Sequence, residues 1–346
     1  MKRLAAPFPR WGMIVCGLVV LGACAAAGCS QAPKARAARV GDRLERRGDE
    51  IVVAGQLFHT GAPVVLWTDP GGYDAYRVER RFARAEDSGW GSIKDAMDTP
   101  NRYGQRRTGD PALDERVRGG GWTLDELRGV VDQFVLHYDV CGTSRTCFRV
   151  LHDMRGLSVH FMLDLDGTIY QTLDVKERAW HATIANDRSV GIEIANIGAY
   201  PSADARPLRE WYASDGSGRP VVTVPERYGD GGIRTPGFRG APARPGPVSG
   251  TINGTDLVMY DLTPEQYESL IRLTAALHIA LPNIPLDYPR ARSGAVLDRS
   301  LDADEFRSFR GVLGHWHVQR NKIDPGPAMD WDRVVDGARG LVNQRR

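Results

Sequence analysis

Residues 158–173 read "SVHFMLDLDGTIYQTL". Two apolar runs flank Asp166 and Gly167, and an Asp-Gly pair between such runs predicts a β-hairpin with a primed turn. Upstream, "QFVLHY" (133–138) is a short apolar run that suits a buried strand ending near His137, and downstream "SVGIEIANIG" (189–198) is a further strand alternating around Glu193. Helical segments separate these strands. "TLDELRGVVD" suits a short helix capped by Thr123, and "CFRVLHDMRG" a helix stopped by Gly156. "TPEQYESLIRLTAALHIAL" (263–281) is the clearest helix, with Thr263 as its cap and Pro264 at its first position, and "WDRVVDGARGLV" makes a terminal one. The expected fold class is therefore α/β: a central mixed β-sheet flanked by helices over residues 121–346.

Two stretches depart from that pattern. Residues 51–120 open with "IVVAGQLFHTGAPVVLW", short apolar runs broken by Gly and Pro, and continue with little periodicity; they read as an N-terminal extension whose role the sequence does not reveal. Residues 199–258 are dominated by Pro, Gly, Arg and Asp and read as a long loop insertion, either a lid or an irregular excursion.

The chain has 346 residues, 45 Lys plus Arg against 43 Asp plus Glu, and a formal net charge of +2. Such a balance gives no bulk electrostatic reason to bind nucleic acid or anionic lipid, so the ligand must be read from a local site. The N-terminus, "MKRLAAPFPRWGMIVCGLVVLGACAAAGCSQAP", has a basic start, a short apolar run and then small residues, which is the pattern of an export signal rather than a membrane span. "LGAC" at Cys24 and "AAGC" at Cys29 both resemble a lipoprotein cleavage box. Cys29 is preferred because it leaves the longer apolar core and precedes a polar linker, residues 30–50; an ordinary secretory signal is the alternative. The expected location is outside the cytoplasm, with contact to a membrane only through a lipid anchor. Cys141 and Cys147 are then the two cysteines left in the body of the protein, and in an oxidising compartment the pair in "CGTSRTC" suits a disulfide closing a tight loop.

The chemistry concentrates in "GHWHVQRNKIDPGPAMDW" (314–331), which places His315, His317, Lys322 and Asp324 on a segment too rich in Gly and Pro for a long helix. A catalytic zinc needs three protein ligands and one open position. His137 at a strand end, with His315 and Asp324, would supply two imidazoles and a carboxylate. The chain has no "HExxH", so the helical metalloprotease motif is excluded.

Five ordered blocks carry a resemblance: "FVLHYD", "SVHFMLDLDGTIYQ", "AWHA", "NDRSVGIEIANIG" and "GHWHVQRNKIDPGPAMDW". Together they resemble the type 2 N-acetylmuramoyl-L-alanine amidases, a family that includes the peptidoglycan recognition proteins and some phage lysins. The resemblance implies Zn2+ held by His137, His315 and Asp324 in a surface groove, Glu193 as general base and Lys322 stabilising the oxyanion. It implies hydrolysis of the amide between N-acetylmuramic acid and L-alanine, with peptidoglycan or a muropeptide as substrate and the periplasm as the place of action. Trp180 and His181 would line the substrate groove. The peptidoglycan recognition branch carries a short disulfide loop after its first zinc histidine, where Cys141 and Cys147 stand. The spacing from His315 to Asp324 is slightly shorter than in some members, which leaves His317 as an alternative ligand. Two rival functions remain open from the sequence: a module that binds peptidoglycan without cutting it, and a zinc amide hydrolase with a non-wall substrate.

Overall fold

The computed structural model describes residues 39–92, 94 and 102–345. The export signal, Cys24 and Cys29 lie outside the described residues. The chain divides into two units, 1–45 and 46–346. Among the described residues no helix is long and apolar enough to cross a membrane.

Within the 46–346 unit, a six-stranded sheet runs in the order Gly311–Gly314, Gln133–Tyr138, Ser189–Ile194, Phe161–Leu163, Ile169–Gln171, Val64–Leu66. All neighbours pair in parallel except Phe161–Leu163 with Ile169–Gln171, so the sheet is mixed, as expected. The sheet has two unlike faces because side chains alternate along each strand. Phe134, Leu136, Tyr138, Phe161, Leu163, Ile192 and Ile194 share one core with the helices Pro264–Ala280 and Trp331–Gln344. His137 and Glu193 occupy alternate positions on their strands and are direct register partners. A one-residue slip of the 133–138 strand would drive His137 into the core shared with the two helices and take Leu136 and Phe134 out of it. Hydrophobic alternation thereby fixes the face on which the polar pair emerges.

The Pro264–Ala280 helix starts as its sequence predicts, with the Thr263 hydroxyl accepting from the Gln266 N–H and the Gln266 side chain closing the capping box. The 161–171 hairpin forms, but its turn is not primed. Gly167 alone takes a positive φ, +80°, and the Gly167 N–H bonds to the Asp164 carbonyl, which is the type I turn plus left-handed glycine of a longer hairpin loop. A side chain at Gly167 would also meet the Glu265 carbonyl at 2.7 Å, so this turn packs directly on the start of the long helix.

The N-terminal extension is part of the sheet. Its Val64–Leu66 strand forms one edge, beside the two-stranded hairpin Glu50–Val53 and Gln56–His59. From the same extension, the fully buried Arg106 guanidinium donates to the carbonyls of Val175, Asn186, Asp187 and Ser189. The 199–258 insertion, expected to be irregular, instead contains the helix Arg206–Trp211, the hairpin Tyr212–Ser214 with Pro220–Val222, and most of a second hairpin, Val248–Ile252 with Thr255–Met259. The signal for the last was "TINGTD", an Asn-Gly pair between alternating residues.

Candidate metal centre

His137 sits near the end of its strand, and His315 opens the short helix that follows the neighbouring strand Gly311–Gly314. Since Gly314 is in register with Leu136, the two imidazoles emerge side by side. Asp324 reaches the same point from the loop after that helix. The Nδ1 atoms of His137 and His315 lie 3.0 Å apart, and Asp324 Oδ2 lies 2.8 Å from the first and 3.0 Å from the second.

This donor set fits a zinc ion. Ligand atoms at about 2.0–2.1 Å around a tetrahedral centre stand roughly 3.3 Å from one another, close to the observed triangle. The outer ring nitrogens settle which nitrogen faces inward. His137 Nε2 pairs with His181 Nδ1 at 3.0 Å, His181 Nε2 with the Ser189 hydroxyl at 3.2 Å, and His315 Nε2 with Gln319 Oε1 at 2.7 Å. With N–H groups on those Nε2 atoms, both Nδ1 lone pairs point at the centre of the triangle. The His181 ring fits because residue 191 is glycine: a Cβ there would come within 2.5 Å of the ring.

Electrostatics agree with a set that is ready to hold a cation. Burial pushes the His137 imidazole down to about 4, with neighbouring His315 acting in the same direction, so it is neutral at physiological pH. Burial pushes Asp324 up, but His315 and His137 outweigh it and hold the carboxyl well below its ordinary range. Glu193 is raised well above the ordinary glutamate value, first by burial and then by Asp324 and Asp139, with Lys322 opposing. Such a carboxylate is a stronger base than a solvated one.

His317 stands away from the triangle. Its Nδ1 accepts from the Gly314 N–H and its Nε2 faces the Leu297 carbonyl at 2.8 Å, so both ring nitrogens are engaged away from the triangle. Burial holds it neutral, pushed down to about 3. Glu193, Lys322, Trp180 and His181 line one groove with His137, His315 and Asp324. Within it, Trp180 lies under the Arg178 guanidinium, 4.4 Å from the ring centroid, and packs on Gly104. The expected Cys141–Cys147 disulfide is not present in this structure: both are free thiols lining the groove, and burial pushes the Cys147 thiol up. Among the described residues a second metal-like group, Asp49, Glu50 and His59, is committed elsewhere. Glu50 accepts from the N–H groups of Arg47, Gly48 and Asp49 and pairs with Arg46 at 3.4 Å, a cation that would oppose any metal.

Residues that sequence reading passed over complete the surroundings. Ser189 bonds to His181 and Gln319 to His315, and Asp139 accepts from the N–H groups of Cys141, Gly142 and Asn196 just past the His137 strand. His160, left without a role, accepts from the Gly191 N–H and faces Arg106 at 3.1 Å, beneath the groove floor.

The sequence profile of the family N-acetylmuramoyl-L-alanine amidase (Amidase_2) matches residues 127–223. The 1,6-anhydro-N-acetylmuramyl-L-alanine amidase AmpD of Haemophilus influenzae is 29% identical over 96 residues, covering 25% of this chain and 47% of the relative. The chain thus spans about half the length of the curated relative it matches. Among solved structures, a selenomethionine derivative of AmpD superposes with a TM-score of 0.31 at 17% identity, over 68% of this chain and 89% of the other. AmiD from E. coli, solved with anhydro-N-acetylmuramic acid-L-Ala-D-gamma-Glu-L-Lys, gives 0.36 at 17% identity, over 60% of this chain and 57% of the other. The profile match includes His137, His181 and Glu193, whereas His315, Lys322 and Asp324 lie beyond it and are tied to the same site by geometry. Over residues 127–223 this chain is similar to the N-acetylmuramoyl-L-alanine amidase family.

Proposed function

We propose that this protein hydrolyses the amide bond between N-acetylmuramic acid and L-alanine in peptidoglycan or its fragments, with zinc held by His137, His315 and Asp324. The observation that carries the reading is the triangle of two imidazole nitrogens and a carboxylate oxygen within 3.0 Å, with Glu193 in direct register with His137. Zinc in such a ligand set supplies a Lewis acid and lowers the pKa of water towards about 7. Glu193, raised in basicity by its burial, takes the proton of the attacking water and delivers it to the leaving amine of L-alanine. The Lys322 ammonium, in the same groove, faces the negative charge that grows on the former carbonyl oxygen. The groove wall of Trp180 and His181 supports the sugar or peptide flanking the bond.

The N-terminal sequence supports export to the periplasm, with Cys29 as the acylated residue. Metabolic labelling with palmitate tests this: label in the parent and none in Cys29→Ser is the expected result.

The activity is tested by mass spectrometry of muropeptides after purified wall is incubated with the zinc-loaded protein, beside Glu193→Ala. Free stem peptides from the parent and none from the variant are expected. Wall binding by the parent without release of peptides would instead make this a recognition module.

A further inference from the structure

The 199–258 insertion ends in the hairpin Val248–Ile252 with Thr255–Met259, whose turn residue Asn253 reaches the loop that carries Lys322 and Asp324. Asn253 and Gly254 have φ of +49° and +78°, the left-handed pair of a primed turn. That conformation turns the Asn253 amide inward, where its Nδ2 donates to the Lys322 carbonyl at 2.9 Å and to the Trp316 carbonyl at 3.5 Å. Its Oδ1 accepts from the Ser300 N–H at 2.8 Å, and its own N–H donates to the Asp298 carbonyl at 2.8 Å. One side chain therefore ties together the insertion, the 298–300 segment and both ends of the 316–322 run.

The rest of the hairpin closes on the other side of Asp324. A Cβ on Gly250 would meet Pro327 at 2.8 Å, and a Cβ on Gly326 would meet the Met259 sulfur at 2.3 Å, so strand and loop are in van der Waals contact at both points. Behind them Asp261 pairs with Arg244 at 2.6 Å, and the Arg244 guanidinium donates to the Ala328 carbonyl. Asp324 is bracketed between the Asn253 contact at residue 322 and the packing at residues 326–328.

We propose that the insertion is a brace for the site, and that Asn253 is its positioning residue, setting where the Lys322 side chain and the Asp324 carboxylate stand relative to His137 and His315. A loop of this composition has few backbone bonds of its own; within it the Lys322 N–H bonds to the Gln319 carbonyl and the Trp316 N–H to the Asp324 carbonyl. Removing the amide frees the Lys322 carbonyl and loosens the segment between the second and third metal ligands. The consequence for turnover rests on the amidase reading, whereas the consequences for backbone order and metal geometry do not.

The test uses the full chain loaded with Co2+, comparing Asn253→Gly, which keeps the left-handed turn without the amide, and Asn253→Asp, which keeps the acceptor for Ser300 but puts a carboxylate against the Lys322 carbonyl. Asp256→Ala, which removes an exposed pair with Thr251 on the same hairpin, is the control. Both Asn253 variants are expected to speed hydrogen exchange at residues 316–324 about tenfold while leaving 133–138 unchanged, and to shift the Co2+ absorption bands and weaken Co2+ binding about tenfold, the lower end for residues that orient metal ligands. If the parent releases stem peptides, kcat falls with KM held. Exchange, Co2+ spectrum and affinity all within twofold of the parent and the control would overturn the brace, whatever the wall assay shows. Absence of peptide release by the parent would count against the amidase reading and leave the brace standing on the other three readouts.

Discussion

His137 has both ring nitrogens engaged, one facing His315 and Asp324 and the other facing His181, which in turn rests on the Ser189 hydroxyl. His181 was expected to line the substrate groove, and its ring also bonds to the candidate ligand His137, favouring one tautomer. His181→Phe is therefore expected to weaken zinc affinity about 10–100-fold, measured by competition with a chromophoric chelator. Unchanged affinity would return His181 to the groove wall alone. A second prediction concerns Asp164, whose Oδ1 accepts from the N–H groups of Ser144 and Leu165 while Oδ2 is buried without a partner. Burial pushes this carboxyl up to about 8, against an ordinary value of 3.8. The folded state then holds a proton that the unfolded chain releases, so this group's contribution to stability is full below about pH 4 and declines as pH rises to about 8. Asp164→Asn is expected to raise Tm at pH 8 and to change it little at pH 4. An equal shift at both pH values would mean the carboxyl is not protonated in the fold. The candidate ligands could be picked from the sequence because a histidine ending an apolar strand and an acid before Pro-Gly are local patterns. The contact of His181 with His137 could not, since it depends on the missing side chain at Gly191, one strand away.

Among the elements, the parallel strands and the 264–280 helix could be read because apolar periodicity and a Thr-Pro start are contained within each segment. The Val64–Leu66 edge strand could not be assigned to the sheet, since nothing in its three residues names Ile169–Gln171 as partner. The same limit hid Arg106, which lies fully buried, its guanidinium pulled down to about 10 by that burial and its two terminal nitrogens donating to the carbonyls of Val175, Asn186, Asp187 and Ser189. Leaving several buried carbonyls unpaired costs about 1–3 kcal/mol apiece. Arg106→Ala is accordingly expected to lower unfolding free energy by more than about 3 kcal/mol in urea, and a chain starting at residue 121 should fail to unfold cooperatively. A stable, cooperative truncated chain would show that the extension is an accessory rather than part of the fold.

On the scale of the molecule, the site is a point where distant parts of the chain meet. Its three candidate ligands, residues 137, 315 and 324, are carried by a strand, the short helix after the neighbouring parallel strand and a loop braced by the insertion, and no local segment holds more than two of them. A metal at that point joins parts of the chain separated by nearly the whole domain, so its binding free energy is also folding free energy. With free zinc about a thousandfold above its dissociation constant, the bound ion adds about 4 kcal/mol to the folded state. Dialysis against a chelator is thus expected to lower Tm by several degrees, and readdition of zinc to restore it in proportion to the logarithm of its concentration. Asp324→Ala should show the low Tm with and without zinc, because the third ligand is gone, while Glu193→Ala should keep the full zinc response, because Glu193 neighbours the triangle without belonging to it. A chelator-insensitive parent would mean that the triangle of His137, His315 and Asp324 is held by hydrogen bonds alone, and would remove zinc from the proposed chemistry.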